Sequence, residues 1–338
     1  MSTTRPHLLV TNPLHAAVRD RLDAFATVTT NPGPEPWPRE ELARLAAGAD
    51  GLLAFMTDHV DAAFLDACPR LRVIACALKG VDNFDLAACE ARGVAVALVP
   101  DLLTAPTAEL TIGLMIALGR HLRAGDTLVR GGHAGWRPVL YGLGLEGMAV
   151  GILGMGAIGQ AIARRLTGFG CCLAYADERP LPPETEAALG LARRPMAAVI
   201  AESDWLVVAL PLTPGTRHLI DAAALAGMRP GAMLVNPARG SVVDEAAVAA
   251  ALRSGRLGGY AADVFEMEDW ARADRPRDID AGLLEHPRTV FTPHLGSAVE
   301  QVRLAIELHA AEDLAAFFAG RPMPGQVVPP PADRAGGR

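Results

Sequence analysis

At 338 residues the chain exceeds one ordinary core and suits two domains, with a cleft expected between them. Hydrophobic residues make up 51% and charged residues 20%, which can bury a large core and excludes a disordered chain apart from its ends. The formal charge of −7, with Lys and Arg scattered, excludes an electrostatic footprint for nucleic acid or an acidic membrane, so any anionic ligand must be held locally. The opening MSTTRPHLLVTN lacks the basic stretch and apolar core of a secretory signal. Five cysteines, with no C-x-x-C, fit neither a disulfide framework nor a zinc site. A cytoplasmic location and no metal are expected.

HLLVTN (7–12), DGLLAFM (50–56) and LRVIACAL (71–78) are short apolar runs, and helical patterns separate the first two. That alternation predicts parallel strands with helical crossovers. NPGPEPWP (31–38) predicts a loop, and VAVALVP (94–100) a further strand stopped by proline. From Thr107 to Val129, Leu, Ile and Met at helical spacing predict one long buried helix leading into a second unit. Its most apolar part, LTIGLMIALG (110–119), is well short of the ~20 residues of a bilayer span and is assigned to a core or a subunit interface.

A second alternation follows: MAVGILG (148–154), CCLAYAD (171–177), WLVVALP (205–211), AMLVNP (232–237), YAADVF (260–265) and VFTPH (290–294). These runs, with helices between them, predict a doubly wound sheet. A helix near 298–318 and a proline- and glycine-rich tail close the chain. The expected division is 1–101 plus 295–325 as one discontinuous domain, 102–294 inserted in it, and 326–338 as a flexible tail.

The inserted unit carries G-x-G-x-x-G at Gly154, Gly156 and Gly159, between a strand reading AVGIL and a helix reading QAIARRL. Glycine-rich strings alone are weak signals, but in this setting each glycine has a physical task. Gly154 allows the tight turn, Gly156 the approach of a pyrophosphate, and Gly159 close helix packing. The N–H groups of Ala157 and Ile158 then face the phosphates at the positive end of the helix dipole. The next strand ends at Asp177, where a carboxylate accepts from ribose hydroxyls and repels a 2′-phosphate. This predicts NAD rather than NADP.

Three segments carry candidate chemistry: NPARGSVVDE around Arg239, ADVFEMED around Glu268, and TPHLGSA around His294. Arg239 follows a strand at the edge where open α/β sheets bind ligands, and its planar fork suits an oxyanion. His294 can exchange a proton near neutral pH, and Glu268 is the natural carboxylate to orient its ring. A hydrolase lacks its parts here, with no G-x-S-x-G elbow and no H-E-x-x-H.

Together with GVDNFD (80–85), these segments resemble the D-2-hydroxyacid dehydrogenase family, in order and spacing, from about residue 50 to 310. The resemblance implies two Rossmann-like doubly wound α/β domains, a discontinuous substrate/catalytic domain with an inserted NAD-binding domain, and a homodimer. The runs ALKGVDNFD, VPDLLTAPTAEL and ADVFEMEDWARADRPR are similar to the phosphonate dehydrogenases within it, which oxidise phosphite to phosphate. By that resemblance Lys79, Arg239, Glu268 and His294 are catalytic, and Met56, Gly80, Trp136, Tyr141 and Ser297 line or shape the substrate pocket. It also gives cofactor contacts from Lys79, Thr107, the 154–159 turn and Asp177. Ala209, Leu210, Pro211, Ala238, Asp263 and His294 complete that set.

Lys79 directs the substrate expectation. Ordinary members hold a carboxylate with backbone N–H groups and the arginine, whereas a dianion with three oxygens invites a second cation. The expected reaction is NAD-dependent oxidation of phosphite. The alternatives are a D-2-hydroxyacid dehydrogenase or glyoxylate/hydroxypyruvate reductase and, more remotely, an NAD-sensing corepressor, which the fold alone does not separate.

Overall fold

The computed structural model describes residues 5–133, 135 and 140–331. The chain forms two compact units, one of residues 1–103, 270–273 and 299–338, the other of 104–269 and 274–298. The sequence places 270–273 in the inserted unit; here they group with the first, and Ala271 N–H donates to Asn83 Oδ1 at 3.2 Å within it.

In the first unit β1 (His7–Val10), α1 (Ala16–Asp23), β2 (Thr27–Thr30), α2 (Arg39–Ala46) and β3 (Gly51–Ala54) alternate. They continue through α3 (Ala62–Ala67), β4 (Val73–Cys76), α4 (Leu86–Ala91) and β5 (Ala95–Leu98). The strand order β2-β1-β3-β4-β5 is parallel and doubly wound. β3 and β4 are buried along their whole length, as runs covered on both faces must be.

The second unit holds α5 (Thr104–Gly119), α6 (Leu122–Arg130), β6 (Ala149–Leu153), α7 (Ala157–Leu166), β7 (Cys172–Ala176) and α8 (Pro183–Leu189). β8 (Leu191–Arg193), α9 (Met196–Glu202), β9 (Trp205–Val208), α10 (Ala222–Gly227) and β10 (Ala232–Asn236) follow. α11 (Glu245–Arg253), β11 (Leu257–Ala262), α12 (Ala281–Leu284) and β12 (Thr289–Phe291) complete it. Its sheet order is β12-β11-β10-β9-β6-β7-β8, with the order reversing between β6 and β9. At such a switch point ligands sit beyond the carboxyl ends of the strands.

The chain then returns to the first unit through α13 (Glu300–Phe318), whose Ile306, Ala310, Ala311 and Leu314 are buried, and ends in β13 (Gln326–Val328).

Two expectations need correction. The helix over 107–129 is two helices: His121 takes a left-handed φ of 52°, which breaks the helical path, and the Gly119 carbonyl beside the break accepts from Leu143 N–H at 2.8 Å. The tail does not begin at 326, because β13 pairs antiparallel with β5 and buries Val328. The apolar 110–119 stretch is core, the first of its two assignments, with Ile112, Leu114, Met115 and Leu118 buried. Counted with the turn before it, Asp101–Gly119 is long and apolar enough by composition to cross a bilayer, a property that buried core helices share. The edge strands β2 and β8 were not predicted, being short and, in β2, rich in threonine.

Val328 is 5% exposed against the β5 edge. Val328→Ala removes two buried methyl-sized groups and should cost about 1–2 kcal/mol, lowering the melting temperature by a few degrees. A melting temperature unchanged in calorimetry would mean that β13 adds no stability.

Candidate active site

The β6–α7 turn has the geometry that its glycines demand. Gly154 has φ 92°, and a Cβ there would lie 2.5 Å from the Ala209 carbonyl oxygen. A Cβ on Gly159 would lie 2.2 Å from the Gly154 oxygen, so helix and turn meet backbone to backbone. Gly156 differs: a Cβ there would meet nothing within 4 Å, which leaves open space before the helix. No side chain caps α7 at Gly156, and the first-turn N–H groups, including those of Ala157 and Ile158, have no intrahelical acceptor. Open space facing uncapped N–H groups at a positive dipole end fits a pyrophosphate. Asp177, just past β7, accepts from Met155 N–H at 2.6 Å and Arg179 N–H at 2.9 Å, which seats its carboxylate against the same turn.

At the ends of β10, β11 and β12 the same unit assembles a polar cluster. Buried Asn236 at the end of β10 donates to the Arg239 carbonyl at 2.9 Å and accepts from Ala238 N–H at 3.1 Å, which shapes the loop carrying the guanidinium. The Glu268 carboxylate accepts from His294 Nδ1 at 2.6 Å and from Phe265 N–H at 2.8 Å. Both side chains of the His–Glu pair are about a quarter exposed, at 23% and 27%. A ring donating from Nδ1 to a carboxylate leaves Nε2 to exchange a proton.

His294 is one of three non-glycine residues with positive φ among the described residues, at 56°. That backbone costs about 1–3 kcal/mol and persists only where surroundings over-determine it. Asp263 does so. Its carboxylate accepts from Thr292 Oγ1 at 2.6 Å, Leu295 N–H at 2.7 Å and Gly296 N–H at 2.8 Å, and its carbonyl accepts from His294 N–H at 2.8 Å. Burial pushes the Asp263 carboxyl up, while these donors and nearby His294 pull it down. Burial wins overall and leaves the carboxyl above the usual carboxylate range, while the three donors favour its ionised form.

The second unit thus gathers Arg239, Glu268, His294, Asp263 and Ala238 at one edge of its sheet, with Ala209, Leu210 and Pro211 following β9 at that same edge. Thr107 and Ser297 are buried, and a Cβ on Gly296 would lie 3.1 Å from Thr107 Oγ1. Tyr141 stands 81% exposed, and Trp136 lies outside the described residues. In the first unit Met56 follows β3, and Lys79 and Gly80 follow β4, at the carboxyl edge of that sheet. Lys79 is paired with Asp101 and is 43% exposed. Glu245 and Glu266, both buried, and His218 lie against the Arg239 and Glu268 loops and were not singled out from the sequence. The only sequence signal was an acid inside each motif already quoted.

Comparison with known proteins agrees with this geometry. Residues 112–296 match the profile described as D-isomer specific 2-hydroxyacid dehydrogenase, NAD binding domain. A glyoxylate reductase of Aeropyrum pernix is 36% identical over 329 residues, covering 96% of each chain. Human glyoxylate reductase/hydroxypyruvate reductase is 39% identical over 298 residues, 87% of this chain and 88% of that one. A crystal structure of a Thermus thermophilus protein superposes with TM-score 0.86 at 36% identity, covering 95% of this chain and all of the other. The cofactor is NAD(H), and the matched segment contains the 154–159 turn.

Asp177→Ala should raise the NADP-to-NAD ratio of kcat/KM, because it removes the charge that repels a 2′-phosphate. A wild-type preference for NADP contradicts this assignment of the carboxylate. His294→Ala should abolish turnover with NADH affinity nearly intact, and Glu268→Gln should weaken turnover and move the acidic limb of the pH–rate profile. Wild-type kcat in His294→Ala would remove the proton-transfer role.

Proposed function

This chain belongs to the D-isomer specific 2-hydroxyacid dehydrogenase family, and we propose that within it the chain oxidises phosphite to phosphate. The observation that carries the proposal is Lys79, a cation at the carboxyl edge of the first sheet in the run ALKGVDNFD. Arg239 supplies the other cation. Each is a group that a dianion can use, so that much of the catalysis would be positioning and electrostatics.

Bound NAD supplies the hydride acceptor at its nicotinamide. His294, oriented by Glu268, takes a proton from the attacking water as the new P–O bond forms. The P–H bond would break with its electron pair passing as hydride to NAD, so phosphite, water and NAD give phosphate, NADH and one proton.

A second reading is reduction of glyoxylate or hydroxypyruvate, and the names of the relatives described above favour it. There Arg239 would hold the substrate carboxylate and His294 would donate the proton that completes the new hydroxyl. Lys79 would then be a solvated partner of Asp101.

Parallel assays decide between them: NAD with phosphite, and NADH with glyoxylate or hydroxypyruvate, all followed at the NADH absorbance. The proposal expects NADH formation with phosphite that falls at least about tenfold in kcat/KM in Lys79→Ala, the loss of one charge-assisted contact. No turnover of phosphite beside good turnover of glyoxylate selects the second reading.

A further inference from the structure

Behind the Arg239 and Glu268 loops lies a cluster of ionisable groups that the proposed chemistry does not use. Glu245 N–H donates to Glu266 Oε1 at 3.2 Å, and Glu266 N–H donates back to Glu245 Oε1 at 2.7 Å. The two residues are 5% and 6% exposed. The second Glu266 oxygen takes His218 Nε2 at 2.9 Å.

Three chain segments meet there. His218 has a left-handed φ of 50°, and its N–H donates to the Ser241 carbonyl at 2.7 Å, while Ile220 bridges to Val243. Gly240, next to Arg239, touches the third segment backbone to backbone. A Cβ on it would lie 1.9 Å from the Phe265 carbonyl carbon and 2.3 Å from Glu266 N. No other residue fits, so the loop of the guanidinium and the loop of the carboxylate behave as one body only while this contact holds.

We infer that Glu245 and Glu266 are positioning residues whose reciprocal hydrogen bonds, steadied by His218, fix Arg239 relative to Glu268. The inference rests on the reading of Arg239, Glu268 and His294 as the catalytic set. Neither glutamate is assigned a contact with substrate. Each acts through the loop it holds: Glu245 through the segment that begins at Arg239, and Glu266 through the short turn that ends at Glu268.

The electrostatics give the clasp a pH dependence. Burial pushes the Glu245 carboxyl up to about 7, opposed by the Glu266 N–H and reinforced by the charges of Glu266, Glu268 and Asp269. Buried Tyr260 and the His218 ring are the other titratable groups near the pair. Below that value a neutral Glu245 still accepts from Glu266 N–H. As pH rises through it, a second buried negative charge faces Glu266 and loosens the clasp.

The test compares Glu245→Ala with Glu245→Gln in the full-length protein. The alanine variant should exchange amide hydrogens faster in both 239–245 and 265–269, lose about tenfold or more in kcat/KM for the substrate, and keep its NADH Kd within about twofold. Glutamine retains the acceptor and should restore both protection and kcat/KM, with its activity relative to wild type rising from pH 6 to pH 8. Unchanged exchange at 265–269 in the alanine variant, or failure of glutamine to restore it, overturns the inference. So does a glutamine-to-wild-type ratio that stays flat with pH, which is the mark of a packing role alone. If the alanine variant does not fold, protection of 265–269 and the pH ratio in Glu245→Gln decide. A wild-type enzyme inert toward phosphite, glyoxylate and hydroxypyruvate would sink the functional reading, and the exchange pattern would still decide the clasp.

Discussion

The buried carboxylate of Asp263 is the constraint on which the candidate active-site edge depends. It stands one residue past β11 and takes three donors from 292–296, while its carbonyl accepts the N–H of His294. Without those bonds a histidine with φ 56° would relax into ordinary backbone conformations and carry its ring away from Glu268. Asp263 N–H in turn donates to the Asn236 carbonyl, and the Asn236 side chain shapes the Arg239 loop. One run of hydrogen bonds therefore joins the ends of β10 and β11 to the segment after β12. These bonds tie the site to the ends of the sheet strands.

Parallel topology explains why one edge holds everything in this unit. All its strands run the same way, so the segments leaving β6, β7, β9, β10, β11 and β12 emerge together. The dinucleotide turn, Asp177, the Arg239 loop and the His–Glu pair are separated by many residues in sequence yet share that edge. The crossover helices carry the cost of the long loops and give back buried core, with Leu252, Ile162 and Leu118 among the side chains that fill it.

Much of this was legible in the sequence because the strongest signals are physical necessities. Buried parallel strands must be apolar on both faces, and a pyrophosphate turn must have glycine where a Cβ would strike backbone, as at Gly154 and Gly159. The Arg239, Glu268 and His294 segments stood out since each sets a polar group beside an apolar strand. What was missed depends on partners distant in sequence. The break comes at His121, whose left-handed backbone follows the contact between the Gly119 carbonyl and distant Leu143, and β13 exists because β5 presents a free edge. The Glu245 and Glu266 pair was hidden for the same reason. An acid at the start of a helix or inside a turn reads as a solvated charge until the other loop is seen against it.

The charge around Lys79 bears on what kind of anion this chemistry can accept. The ammonium already has a carboxylate partner, Asp101, and both side chains are largely exposed. Exposed pairs of this kind contribute only about 0–1 kcal/mol, since water screens them and ordering two side chains opposes them. A dianion can therefore compete for the lysine at little cost, and Asp101 can turn back to solvent. On the phosphite reading a monoanionic keto acid would gain less from the exchange, because it carries one charge fewer and its carbonyl asks for a proton donor rather than a cation. On that reading the lysine would discriminate by charge rather than by shape, an effect that weakens with ionic strength as a steric filter does not.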